Sequence, residues 1–143
     1  MSRLYTSVLV LHVLVAVLGL GSIASVAIVA ATAGRAGRRA AEALTWLGPL
    51  LRYSAFSLAA MLATGILLGA TSAGTVYEAW WFRGSALLLV LTGALHARAR
   101  RAVRLGLASE GDGHLAVRRV ARLAYGMCGL IAVIAALMEV KPF

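Results

Sequence analysis

Leu4–Gly34, LYTSVLVLHVLVAVLGLGSIASVAIVAATAG, runs for 31 residues without Asp, Glu, Lys or Arg. That exceeds the ~20 residues needed to cross the hydrocarbon core of a bilayer. A segment this apolar has to satisfy its own backbone polar groups inside lipid, so it is read as a membrane-spanning helix. At 100° per residue, Tyr5, His12, Ala16, Gly19, Ala27 and Ala30 fall on one face, and Val10, Leu14, Val17 and Ile28 on the opposite one. The small and polar face is expected to meet protein, because small residues allow the close helix approach that drives association within lipid. His12 then points into the bundle, where a polar ionisable group is expensive and by default suggests function. Its alternative role is a hydrogen bond to a neighbouring helix.

The rest of the composition follows the same plan. Hydrophobic residues make up 62% of the 143 and charged residues 13%, and the apolar residues lie in long blocks. The formal charge of +9 would suggest nucleic acid in a water-soluble chain. Here the arginines sit at the ends of apolar blocks, as the positive-inside rule requires, so a lipid bilayer is the expected partner and nucleic acid is not. A single cysteine, Cys128, excludes an intrachain disulfide and a C-x-x-C redox pair. Ala31-Thr32-Ala33 has the form of a signal-peptide cleavage site, but the apolar block before it is too long for a signal h-region. It is expected to be a retained helix.

The fold expected is all-α: one transmembrane domain over residues 1–143, an integral membrane four-helix bundle with antiparallel neighbours. Its spans are placed at about 4–33, 50–71, 79–97 and 116–140. Arg35, Arg38 and Arg39 end the first span, and Ala40–Leu47 continue as an interfacial or early helical segment. Gly48-Pro49 marks either the start of the second span or a kink in it. The second span carries Ala60-x-x-x-Thr64 and Gly65-x-x-x-Gly69, spacings suited to tight helix contact. After a turn at 72–78, Trp80, Trp81 and Phe82 suit the membrane interface, and Arg98, Arg100, Arg101 and Arg104 close the third span. Leu105–Leu115 reads as a polar loop, with Glu110, Gly111, Asp112 and Gly113 as turn and helix-start signals and His114 solvated.

Eleven of the 14 basic residues lie in or beside the loops joining spans one to two and three to four. This places both loops in the cytoplasm, and both termini on the outer side of a bacterial-type inner membrane. His12 then lies roughly 10 Å below the outer end of its helix. Arg83 enters from the same side, and Glu139 sits near the outer end of span four. These three are the candidate binding residues, with His12 the metal ligand. His96 falls roughly 20 Å deeper than Arg83 and is rotated from it, so it is read as interfacial and not as a second axial ligand opposite His12. Tyr125, Cys128, Ala132, Ala135 and Glu139 share a face of the last span that would carry Glu139 toward the pocket. Met61, Met127, Met138 and Cys128 are soft copper ligands by type, but Met127 and Met138 point away from the Cys128 face.

Leu11-His12-Val13-Leu14, Thr64-Gly65-Ile66-Leu67-Leu68, and Trp80-Trp81-Phe82-Arg83 ahead of Arg98-x-Arg100-Arg101 together resemble the four-helix membrane proteins related to CopD copper-resistance proteins and HemJ-type protoporphyrinogen oxidases. The HemJ-type resemblance implies a haem b or porphyrin site with His12 as axial ligand and Arg83 near a required basic position. The CopD resemblance implies copper handling by His12, which ranks behind the porphyrin. This chain has Gly19-Leu20-Gly21 where relatives carry Trp-x-Gly, and Arg83 where the oxidase pattern prefers lysine. An arginine does not readily deprotonate, so Arg83 suits pairing with an anion such as a propionate. Two functional expectations result. One is an outer-leaflet porphyrin or metal pocket centred on His12. The other is a non-enzymatic scaffold or accessory subunit, associating with a membrane-protein partner or with its own copies. Secondary transport has little support without a broken helix or an inverted repeat.

Overall fold

The computed structural model describes residues 3–35, 40–72, 75–109 and 113–140. Four long helices dominate: α1 (Arg3–Arg35), α2 (Ala40–Thr71), α4 (Trp80–Ala108) and α5 (Gly113–Val140), with a single turn, α3 (Thr75–Glu78), between α2 and α4. They close a ring in which α1 packs on α2 and α5, and α4 packs on α5 and α2. Successive long helices are antiparallel. Gly84 lies against Leu137, Gly126 against Leu95, and Gly106 against Ala116, so α4 and α5 run past each other in opposite directions. α1, α2 and α5 are long and apolar enough to cross a membrane. Their outward faces are aliphatic: Val17, Ile28, Phe56 and Leu62 on α1 and α2 are exposed. In water that surface would be costly, whereas against lipid tails it costs nothing.

α1 packs through the expected face. His12, Gly19, Ala27 and Ala30 are buried, while Val10, Leu14, Val17 and Ile28 are exposed. The apolar core sits at the end of the bundle where α1 ends and α2 begins, built from Ile23, Val26, Leu44, Leu47, Val103 and Val120 among others. Polar residues His12, Thr64 and Ser85 are buried toward the opposite end.

Several sequence expectations are corrected. α2 begins at Ala40 and runs through Pro49 without stopping, so Gly48-Pro49 does not start the second span. Pro49 is exposed and nine residues into the helix, where its missing N–H removes one bond while Leu44, Leu47 and Leu51 stay locked in the core. α4 continues past Ala97 through Arg98, Arg100, Arg101 and Arg104 to Ala108. Ala99, Ala102, Val103 and Gly106 supply an apolar stripe between those arginines, so the helix has a reason to persist. Much of the expected 105–115 loop is therefore helix; Glu110, Gly111 and Asp112 lie outside the described residues, as do Arg38, Arg39 and Lys141. α4 does not belong to the set of helices apolar enough to cross a membrane, because Arg83 and His96 interrupt its apolar stretch.

The other two histidines are also placed differently from expectation. His96, read as interfacial, is buried between helices: its Nε2–H donates to the Leu51 carbonyl at 2.8 Å and lies 2.9 Å from Ser54 Oγ, tying α4 to α2. His114 is half-buried, not solvated, and its Nε2–H donates to the Gly34 carbonyl at 3.1 Å. That carbonyl is one of the last four of α1, which lack partners within the helix.

Candidate functional site

His12 lies on the buried face of α1, and its ring crosses to α2, where Nδ1 is 2.8 Å from Thr64 Oγ1. The hydrogen placement follows from what surrounds Thr64. Its hydroxyl lies 2.8 Å from the Ala60 carbonyl and 3.2 Å from that of Met61, two groups that can only accept. With the hydroxyl hydrogen committed to a carbonyl, Oγ1 accepts from His12, and the ring proton sits on Nδ1. Nε2 then carries the lone pair. His12 makes no other hydrogen bond among the described residues.

That ring borders a half-open cavity of about 110 Å³ lined by residues of α1, α2, α4 and α5 and by Tyr77 of α3. Met61 from α2 and Met138 from α5 line it, with Ser85 and Phe82 from α4. Ser85 Oγ is buried and makes no hydrogen bond among the described residues, an orphan costing about 1–3 kcal/mol. The remaining walls are apolar, with Leu62, Ile66 and Ile134 among them.

Glycines give the cavity its shape. Gly65 faces the His12 ring, where a Cβ would stand 3.6 Å from Cε1. At Gly69 a Cβ would fall 2.5 Å from the Tyr77 ring. The Gly65-x-x-x-Gly69 pair therefore accommodates two side chains, in addition to any close approach of helices. Tyr77 is held in that notch by its hydroxyl, which donates to the Ile66 carbonyl at 2.6 Å, and by an edge-on contact with Phe82 at 5.3 Å between centroids. Gly69→Ala is expected to expel the Tyr77 ring and open the cavity. Solvent quenching of Tyr77 and Trp81 fluorescence should rise in this variant while Gly21→Ala, at a position with no neighbour within 4 Å, leaves it unchanged.

Of the three candidate residues, His12 lines the cavity, and Arg83 and Glu139 do not. Arg83 is exposed, and its Nε–H donates to the Tyr77 carbonyl at 3.0 Å, so it braces the corner between α3 and α4. Glu139 is exposed at the end of α5. The face expected to carry Glu139 inward points out: Tyr125, Ala132 and Ala135 are exposed with it, because α5 packs through Val117, Val120, Ala124, Met127, Ile131 and Ile134. His12 and His96 are separate. Their partners on α2, Thr64 and Leu51, are 13 residues apart, roughly 20 Å along the helix.

Sequence reasoning missed Met61, Met138 and Ser85 as neighbours of His12. Met138 could be excluded from the Cys128 face but not assigned to the His12 cavity, since that depends on how α5 is turned against α1 and α2. This cavity is well below the roughly 300–1,000 Å³ of sites for larger organic ligands. A single ion does fit, and an imidazole nitrogen with two thioethers is a soft donor set. Among the described residues no group of three His, Cys, Asp or Glu side chains is placed to hold a metal, so the thioethers are essential to any such site. Comparison with protein-family models, with curated proteins and with solved structures finds no match.

Proposed function

We propose that this chain is a multi-pass membrane protein that binds a soft monovalent metal ion, Cu(I), in the His12 cavity. The observation that carries the reading is the 2.8 Å contact of His12 Nδ1 with Thr64 Oγ1 at a cavity that Met61 and Met138 also line; with Nδ1–H donating to Thr64, the Nε2 lone pair is left for a ligand. A ligating histidine ordinarily donates its other ring nitrogen to such a partner, which fixes its orientation and raises its basicity. Thioethers favour Cu(I) over hard divalent ions, and the apolar walls offer nothing to a hydrated cation. Ser85 Oγ supplies one further oxygen donor to whatever occupies the cavity. Tyr77 and Phe82 line the site at the α3 corner and meet edge to face.

The basic loops support an orientation with the termini and α3 outside, so the cavity belongs to the outer half of a bacterial-type inner membrane. In a Cys128→Ser background, a cysteine at Ser72 should react with an impermeant maleimide added outside, and one at Ser109 should react only after the membrane is opened. The reverse pattern would overturn the orientation.

The binding test uses purified full-length protein under anaerobic, ascorbate-reduced conditions in competition with a chromophoric Cu(I) chelator. One equivalent of Cu(I) is expected to be withheld from the chelator, with no shift of the haem Soret band on adding haem. A protein that withholds no Cu(I) supports the scaffold reading, in which the His12–Thr64 bond simply ties α1 to α2.

A further inference from the structure

A second concavity is unrelated to His12. It is an open groove of about 990 Å³ between the last turns of α1 and the first turns of α5, at the opposite end of the bundle. Arg35 borders it from α1, and Arg118, Arg119 and Arg122 from α5, all exposed. No carboxylate lines it among the described residues. Four guanidinium groups around one groove repel each other unless an anion lies between them. Arg118 and Arg122 are one turn apart on the same face of α5, so their forks can address one group together. The wall beneath them is apolar: Ala30 and Ala121 are buried in it, and Ala31 and Leu123 also line it. Four cations over an apolar wall suit an anionic amphiphile, with its phosphate at the arginines and an acyl chain against the alanines and Leu123.

We infer that the α1/α5 groove is a binding site for an anionic phospholipid, whose phosphodiester is held by Arg35, Arg118, Arg119 and Arg122. This depends on the chain being embedded in a membrane and is independent of the metal site. Arginine suits the role because its planar fork bonds two phosphate oxygens at once and stays charged at any physiological pH. At the far wall, the His114 bond to the Gly34 carbonyl covers an oxygen that would otherwise repel the phosphate.

The test is native mass spectrometry of delipidated full-length protein titrated with phosphatidylglycerol, phosphatidylcholine or inorganic phosphate. Phosphatidylglycerol is expected to bind about tenfold more tightly than phosphatidylcholine, and inorganic phosphate should not displace it at matched concentration. Arg118→Gln with Arg122→Gln should remove that preference, and the corresponding pair of lysines should restore part of it. Arg98→Gln with Arg101→Gln removes the same charge from exposed positions on α4 outside the groove and should preserve the preference. Equal losses in both glutamine pairs would reduce the effect to general surface charge and overturn the site. Equal binding of the two lipids, or displacement by phosphate alone, would overturn it as well.

Discussion

His12→Ala is expected to weaken Cu(I) retention by more than about 100-fold, while far-ultraviolet circular dichroism reports an intact helical bundle. The helices survive because each satisfies its own backbone, so losing one inter-helix bond does not unfold them. Thr64→Val should weaken retention by roughly 10- to 100-fold, since it leaves every ligand present but removes the acceptor that orients the ring. Thr64→Ser keeps that acceptor and should retain most of the affinity. Met61→Leu with Met138→Leu conserves volume and removes both sulfurs, so it isolates ligand chemistry from packing. His96→Ala should leave the metal in place, because its bonds are to Leu51 and Ser54, far along α2 from Thr64. The competition assay reads all of these. Unaltered Cu(I) retention by His12→Ala, or a loss confined to thermal stability, would replace the metal reading with the scaffold one.

The second large effect is expected at Gly106. A Cβ there would stand 2.5 Å from Ala116 Cβ and 3.0 Å from Leu44 Cδ1. Leu44 can rotate away, but Ala116 Cβ is fixed to the α5 backbone, so Gly106→Ala has to push α4 and α5 apart. Overpacking of this kind costs about 1–3 kcal/mol. It also falls where the apolar core is concentrated, with Leu44, Ala102 and Val103 around it. The apparent unfolding temperature in detergent should drop clearly for Gly106→Ala. Gly93→Ala and Gly129→Ala meet nothing within 4 Å and gain helix propensity, so they should match or slightly exceed the wild type. Equal tolerance of all three would show that α4 and α5 are packed more loosely than this contact requires.

The sequence by itself determined the all-helical architecture and the inward face of α1. Both follow from local rules: an apolar run of 31 residues in lipid has to bond its own backbone, and the 100° period separates His12, Gly19 and Ala27 from Val10, Val17 and Ile28. It also separated His12 from His96 by rise alone. Helix ends were harder to read, because arginines look like stop signals in one dimension. In α4 they lie on exposed positions between Ala99, Ala102 and Gly106, which the neighbouring helices bury, and that packing carries the helix on to Ala108. Tertiary structure alone decided which distant residues meet. The rotation of α5 about its axis turned Met138 to the His12 cavity and Glu139 away from it, although the two are adjacent in sequence. Likewise the turn of α2 set Thr64 against the His12 ring and Met61 beside it, and the α3 corner engaged Arg83 with the Tyr77 carbonyl. Those rotations are fixed by how side chains of different helices interlock, and no segment contains that information on its own.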